Sequence, residues 1–216
     1  MRIRYVIAFT ALMAPVPVYG QDVFEATYSV QQRGKDIGTE HVILRTEAPG
    51  STTSNLRLEF DGKFPANQET LRGTLVRGNT GALDQLQLEV KRPNSTETLR
   101  AVQRGNRIYI TTTGQGSRGG KEIAGGSGVV LLDEQLQALL LLVADVATAK
   151  GTQLTAIYPR SGQKANIVAK RVDGGPKGAV VELSGDLTGR MQLDSAGRVE
   201  RMELPQAGII VTKLPS

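Results

Sequence analysis

Hydrophobic and polar residues alternate with a period of two along most of the chain. In the first clear run, Phe24, Ala26, Tyr28 and Val30 share one side, and polar residues occupy the other. This period is typical of β-strands with one buried and one solvated face. It predicts a mainly β fold, in which about a dozen strands form a curved antiparallel sheet, either a half-barrel or an open barrel. The later predicted strands lie at residues 37–46, 56–61, 85–91, 107–113, 152–158, 163–172, 178–184, 190–193, 198–204 and 208–213.

One segment departs from this pattern and predicts a helix over about residues 133–149. Asp133 is a favourable N-cap residue, and Lys150-Gly151 is a typical helix end. A helix that is apolar almost all round must be covered on more than one side, so we expect it to fill the concavity of the sheet. It is either part of an ordinary core or shares a cavity with an apolar ligand, and it is too short to cross a membrane. Its apolar stripe contains Leu136, Leu139, Leu140, Val143 and Ala147.

The segment before this helix is rich in glycine. Residues 114–128 contain seven glycines in fifteen positions. This composition predicts a long mobile loop, which is either a flexible surface loop or a gate over a cavity.

The first twenty residues have the pattern of a secretory signal peptide. Arg2 and Arg4 precede an apolar stretch, and Val18 and Gly20 are small residues at the positions that a signal peptidase reads. We therefore predict that residues 1–20 are removed and that residues 21–216 form a single β-rich domain. Because no Cys is present to carry a lipid anchor, the domain is expected to be soluble and periplasmic, or outside the cell.

The composition excludes several kinds of functional site. The chain has no Cys and one His, which excludes disulfides, cysteine-based metal sites and cysteine nucleophiles. His41 lies on a predicted strand, and no Gly-x-Ser-x-Gly motif accompanies it. The sequence also lacks a phosphate-binding loop and a calcium loop, so we expect no cofactor, metal ion or catalytic residue.

The charge of the chain does not indicate a nucleic-acid partner. The formal charge is +5, but loss of Arg2 and Arg4 leaves 24 basic residues against 21 acidic ones. Basic and acidic residues alternate along the strands, and residues 21–216 contain six aromatic side chains. A nucleic-acid site would need a dense basic patch or aromatic residues for base stacking.

Three blocks of sequence resemble a family of exported bacterial proteins that is known as a domain of unknown function. The first block is Ala26-Thr-Tyr-Ser-Val followed by Gly34-Lys-Asp-Ile-Gly38. The second is Val129-Val-Leu-Leu-Asp-Glu-Gln-Leu with Leu154-Thr-Ala-Ile-Tyr-Pro, and the third runs from Gly189 to Pro205. The resemblance implies a fold like the half-barrel with a helix of periplasmic lipoprotein carriers, with a cavity for a lipid. It implies no activity and no functional residues.

Two main hypotheses on function follow. In the first, the protein is a non-enzymatic binding domain that accommodates a lipid or another apolar group between sheet and helix. In the second, it is an envelope structural or protein-interaction domain with a filled core. A hydrolase that uses two scattered carboxylates is a third alternative, and the oligomeric state stays open. The candidate lining of the apolar site is Leu136, Leu139, Leu140, Val143, Phe24, Tyr28 and Phe60.

Overall fold

A computed structural model describes residues 22–47, 55–78, 82–114, 117–175 and 178–215. The predicted signal peptide at residues 1–20 lies outside them. The described residues form fifteen strands, one short α-helix and two 3-10 helices. The strands are β1 (Asp22–Gln32), β2 (Lys35–Glu47), β3 (Asn55–Phe64), β4 (Glu69–Arg77), β5 (Leu83–Arg92), β6 (Ser95–Arg104), β7 (Arg107–Gly114), β8 (Ser117–Ala124), β9 (Val129–Leu131), β10 (Thr152–Ile157), β11 (Lys164–Asp173), β12 (Ala179–Gly185), β13 (Gly189–Leu193), β14 (Val199–Leu204) and β15 (Ile209–Lys213).

All fifteen strands belong to one open sheet. Its order is β8-β7-β6-β5-β4-β3-β2-β1-β15-β14-β13-β12-β11-β10-β9, so β1 joins two meanders and β8 and β9 form the edges. Neighbouring strands are antiparallel except for β9 and β10, which are parallel. The predicted fold class is confirmed: the described part of the protein is mainly β, with one open antiparallel sheet and a single α-helix, although the strands are more numerous than predicted.

The alternation of residues sets the two faces of the sheet. In β5, Leu86, Leu88 and Val90 are buried, while Gln87 on the opposite face is exposed. The buried faces of both meanders join the helical residues in one apolar core. A period-two sequence therefore produces a sheet with one packed face and one solvated face.

The helical segment is shorter than the predicted helix. A 3-10 helix at Gln137–Leu140 leads into α1 at Leu141–Val146, and together we call residues 137–146 the helical segment. Asp133 instead caps the turn before it, because its Oδ1 accepts hydrogen bonds from the backbone N–H groups of Gln135 and Leu136.

The helical segment ends before residue 149 because the chain enters the sheet. Ala147 is extended, and Thr148 forms a parallel bridge with Lys170. The Thr152 hydroxyl donates to the Val146 carbonyl oxygen at 2.8 Å. This hydroxyl replaces the backbone N–H that a further helical turn would have offered to that carbonyl.

The structure corrects the prediction of a long glycine-rich loop. Residues 117–124 form β8, which pairs with β7 from Gly114 opposite Ser117 to Arg107 opposite Ala124. Strand pairing uses backbone groups, so the glycines weaken but do not prevent it. The described part of the gate that we considered over residues 114–128 is therefore an edge strand paired with β7, followed by residues 125–128 outside a strand.

Candidate binding site

Alternate turns of an antiparallel meander lie at the same edge of a sheet. The turns at residues 33–34, 158–163, 186–188 and 205–208 all lie at one edge, which we call the upper rim. The backbone N–H of Arg33 donates to the Gly208 carbonyl oxygen at 2.7 Å, which ties two of these turns together. The upper rim thus brings together segments that are far apart in sequence.

A pocket of about 400 Å³ opens at the upper rim, between the start of the helical segment and strands β10 to β15. Its buried lining residues are mainly apolar, and its exposed lining residues, which form its mouth, are polar or charged. The apolar lining residues are Leu132, Leu140, Ala165, Leu187, Leu204, Ala207 and Ile209. The polar lining residues are Asp133, Glu134, Gln137, Tyr158, Gln163, Lys164 and Asp186. Such a surface can hold a molecule with an apolar body and a polar end.

A partly buried ion-pair network lies beside this pocket. Arg160 contacts Asp133 and Glu69, each at 3.3 Å, and Arg92 also donates to Glu69. Burial raises the pKa of Asp133 more than the charge of Arg160 lowers it. Glu69 belongs to β4 and Arg160 to the turn after β10, so the network joins the two meanders at the upper rim.

Glu40 fixes the upper end of the helical segment. It lies on the buried face of β2 and is fully buried. Its two carboxylate oxygens accept hydrogen bonds from the backbone N–H groups of Gln137 and Ala138, at 2.7 and 2.6 Å. Burial, opposed by these two bonds and reinforced by the charge of Asp133, raises the pKa of Glu40 to about 8. A strand side chain thus supplies the cap that the 3-10 helix lacks locally.

Arg77 binds the helical segment at Leu142, in its second half. It lies at the end of β4, is 4 % exposed, and donates from Nη1 to the Leu142 carbonyl oxygen at 3.2 Å. Burial lowers the pKa of Arg77, and the charge of Asp145 partly offsets this effect. The helical segment is therefore held by two buried side chains, the Glu40 carboxyl group at its first N–H groups and the Arg77 guanidinium group at the Leu142 carbonyl oxygen.

We expect Arg77→Met to lower the free energy of unfolding by about 2 kcal/mol, because it leaves the buried Leu142 carbonyl without this donor. Chemical denaturation of the two proteins measures the difference. Arg72→Met is the matched control: Arg72 is on the same strand, but its side chain is 69 % exposed and pairs with Asp61. The control should change stability by less than about 1 kcal/mol. Equal effects of the two substitutions would contradict the role of Arg77.

Among the described residues, no group of three or more His, Asp or Glu side chains is placed to hold a metal ion. His41 lies on the solvated face of β2, and its Nε2 is 2.9 Å from Glu25 Oε1, also on that face. Within the described part of the chain, no helix is both long enough and apolar enough to cross a bilayer.

Comparison with known proteins adds one structural neighbour. No protein-family model matches the sequence, and the search of curated proteins found no match. The chain is similar to a solved structure, the beta-barrel-like protein of domain of unknown function DUF1849 from Brucella abortus, at 8 % identity and a TM-score of 0.45. The alignment covers 88 % of this chain and 94 % of that chain. This likeness indicates neither a function nor a compartment for the present protein.

The seven residues predicted to line an apolar site do not lie together at the pocket. Of them, Leu140 alone belongs to the pocket lining. Phe24 is half-buried near the far end of β1, where Arg198 and Lys213 each lie 5.2 Å from the centre of its ring. The remaining five are buried in the core: Leu136, Leu139, Val143, Tyr28 and Phe60.

Specific contacts explain why two of these aromatic residues are core residues. The Tyr28 hydroxyl donates to the Val199 carbonyl oxygen at 2.7 Å, so this buried phenol crosses from β1 to β14. The Phe60 ring packs over Gly73 on the neighbouring strand. Tyr28 therefore links β1 to β14 by a hydrogen bond, and Phe60 packs against the backbone of the neighbouring strand β4.

Sequence analysis missed Glu40 and the polar mouth of the pocket. A signal for Glu40 exists, because it falls in register with Gly38, Val42 and Leu44 on the buried face of β2. Ile43 on the opposite face obscures that register, as does Ile37, which packs against the core at an irregular point of the β1–β2 pairing. Tyr158, Lys164 and Asp186 carry no such signal, since they meet only through the order of the turns at the upper rim.

Proposed function

We propose that this protein is a non-enzymatic exported binding domain that accommodates a lipid or another apolar group at the pocket between the sheet and the helical segment. The observation that carries the proposal is a pocket whose buried lining is mainly apolar and whose exposed lining residues are polar or charged. Ligand pockets are typically about 300–1,000 Å³ and mainly apolar, with a few polar groups that fix orientation. At 400 Å³ the pocket is near the lower end of that range.

The apolar wall gives the ligand its binding free energy. Each CH₂ group removed from water contributes about 0.8 kcal/mol, so even a short alkyl chain gains several kcal/mol in this pocket. Leu140 is the part of the helical segment that would contact it. Leu136, Leu139 and Val143 are packed deeper, so a longer chain would reach them only if the helical segment moved.

Export is the second part of the proposal, and it rests on residues 1–20. We propose that cleavage after Gly20 releases residues 21–216 as one domain into the periplasm. Intact-mass measurement on the protein from a periplasmic extract tests this directly. A mass that includes residues 1–20, or recovery only in the cytoplasmic fraction, would contradict it.

We expect native mass spectrometry of the protein purified from cells without detergent to detect a retained lipid or other apolar molecule. Ala165→Phe should reduce its occupancy several-fold, because Ala165 lines the pocket and a ring there would occupy ligand volume. Glu200→Phe adds the same ring at an exposed position outside the pocket lining and is the matched control. Absence of any bound molecule, or equal occupancy in both variants, would oppose a pocket ligand.

The alternative of a protein-interaction domain is favoured by one observation, the open edge of the sheet at β8. This edge strand has eight residues and could pair with a strand of a partner. Substitution of Glu122 by Pro would block such pairing while leaving the pocket lining unchanged, because the register of β7 and β8 directs the backbone N–H of Glu122 away from β7. Loss of a co-purifying protein on this substitution, in a protein that retains no lipid, would favour the alternative.

A further inference from the structure

We infer that the pocket at the upper rim selects amphiphiles whose polar end carries an ammonium group over those that carry a carboxylate. This inference rests on the proposed function, because it names the class of ligand for the same pocket. It follows from the charges and the aromatic group at the mouth of the pocket, which are distinct from its apolar wall.

The charges of the lining leave an excess of carboxylate. Three acidic residues line the pocket, Asp133, Glu134 and Asp186, whereas Lys164 is the one basic residue of the lining. Asp133 is paired with Arg160 and is therefore already neutralised. Two carboxylates then remain against one ammonium group. An incoming cation meets net attraction at this mouth, and an incoming anion meets net repulsion.

The carboxylate of Asp186 is held in a fixed position. Its Oδ2 accepts a hydrogen bond from the Asn166 backbone N–H at 2.8 Å. The Asp186 backbone N–H in turn donates to the Asn166 carbonyl oxygen at 2.9 Å. A carboxylate positioned in this way loses little side-chain entropy when it binds a ligand cation.

Tyr158 adds an aromatic surface beside Glu134. Tyr158 is half-buried in the lining. Burial, and to a smaller extent the nearby charge of Glu134, raises the pKa of its phenol. The phenol is therefore neutral at physiological pH. An aromatic ring next to a carboxylate is a favourable environment for an ammonium group, which the ring attracts by a cation–π interaction.

Calorimetric titration of the purified domain, residues 21–216, with three amphiphiles tests this inference. The amphiphiles are decylammonium, decanoate and neutral 1,2-decanediol, each used below its micelle concentration. At low ionic strength we expect decylammonium to bind about fivefold more tightly than decanoate, as one favourable partly exposed charge interaction allows. The diol should fall between them. Added salt should reduce the difference, because the groups at the mouth are exposed and their charges are screened.

Substitutions at the mouth of the pocket test whether its carboxylates cause the preference for decylammonium over decanoate. The double substitution Glu134→Gln and Asp186→Asn should abolish the preference for decylammonium while leaving the affinity for the diol unchanged. Asn at 186 retains an oxygen that can accept from the Asn166 N–H, so the turn is preserved. Glu200→Gln, an exposed carboxyl outside the pocket lining, is the matched control and should leave the preference intact.

The outcomes separate this inference from the proposed function. If none of the three probes binds, the proposed pocket function fails. If decanoate binds as well as or better than decylammonium while the diol also binds, the pocket function stands and the ammonium preference is wrong. A preference that survives the double substitution also overturns the inference, because its source would lie elsewhere.

Discussion

Raising the pH from about 5 to about 9 should destabilise the wild-type protein relative to its Glu40→Gln variant, by about 4 kcal/mol in free energy of unfolding. In the folded protein the pKa of Glu40 is about 8, against an ordinary value of 4.5, chiefly because the carboxyl group is buried. The folded state therefore holds a proton that the unfolded state releases. The stability associated with this proton is fully present below about pH 4.5 and is lost as the pH rises through about 8. Urea denaturation at a series of pH values measures the difference.

The difference between the two proteins isolates Glu40 from other titrating groups. Burial also raises the pKa of Asp133, which gives both proteins a further loss of stability as the pH rises. Glu25→Gln is the matched control, because Glu25 is on the neighbouring strand with its side chain 62 % exposed on the solvated face. A constant difference between wild type and Glu40→Gln over this pH range would contradict the burial of an ionisable Glu40.

The same carboxyl group links the position of the helical segment to the sheet. Its two hydrogen bonds to Gln137 and Ala138 hold the residues immediately before Leu140, which lines the pocket. Arg77, on β4, binds the segment at the Leu142 carbonyl oxygen. The segment is thus fixed by two side chains of one meander, while the pocket opens towards the other meander. Ligand entry on that side would leave both attachments in place.

The strands could be predicted because the alternation of side chains is local. Runs such as Leu86, Leu88 and Val90 specify both the strand and its buried face. The prediction omitted β4, β6, β8 and β9. β8 in particular was missed because Gly119 and Gly120 have low strand propensity and only the backbone of β7 makes this strand favourable. Hydrophobic pattern alone does not report pairing of that kind.

The helix was predicted in the correct place but with the wrong length. The apolar run from Ala138 to Ala144 is buried as expected. Its two ends depend on groups that are distant in sequence. Glu40 accepts hydrogen bonds from its first N–H groups, and Thr148, just after its last residue, pairs with Lys170 of the sheet. Helix propensity describes local preference, and tertiary contacts decide where this helix stops.

The candidate site was the least predictable feature. Leu140 could be identified because it belongs to an apolar helix, but Lys164 and Asp186 lie in or near turns with no distinctive pattern. They share the mouth of the pocket because β10 to β15 form a meander whose alternate turns meet at the upper rim. That proximity is a consequence of strand order, which a single sequence specifies only through the complete fold.

Close contact between strands leads to a second large expected effect, from Gly73→Ala. A Cβ atom at residue 73 would overlap the carbonyl oxygen of Gln87 on β5 and would lie 2.7 Å from Cζ of Phe60 on β3. The carbonyl oxygen is part of the paired backbone and cannot move without shifting β5. We therefore expect the substitution to lower the free energy of unfolding by about 3 kcal/mol, at the upper end of the usual cost of overpacking. Thermal and urea denaturation measure the loss.

Gly119→Ala is the matched control for this substitution, because a Cβ atom there would meet no atom within 4 Å. It should change stability by less than about 0.5 kcal/mol. Adding Phe60→Leu to Gly73→Ala should recover only part of the loss, since the smaller side chain relieves the contact with the ring but not the overlap with Gln87. Full recovery of the free energy of unfolding would mean that the whole loss comes from the contact with the Phe60 ring. A Gly73→Ala protein as stable as the wild type would contradict the close approach of β4 and β5. The partial recovery that we expect follows from a rigid backbone contact that no side-chain change can relieve.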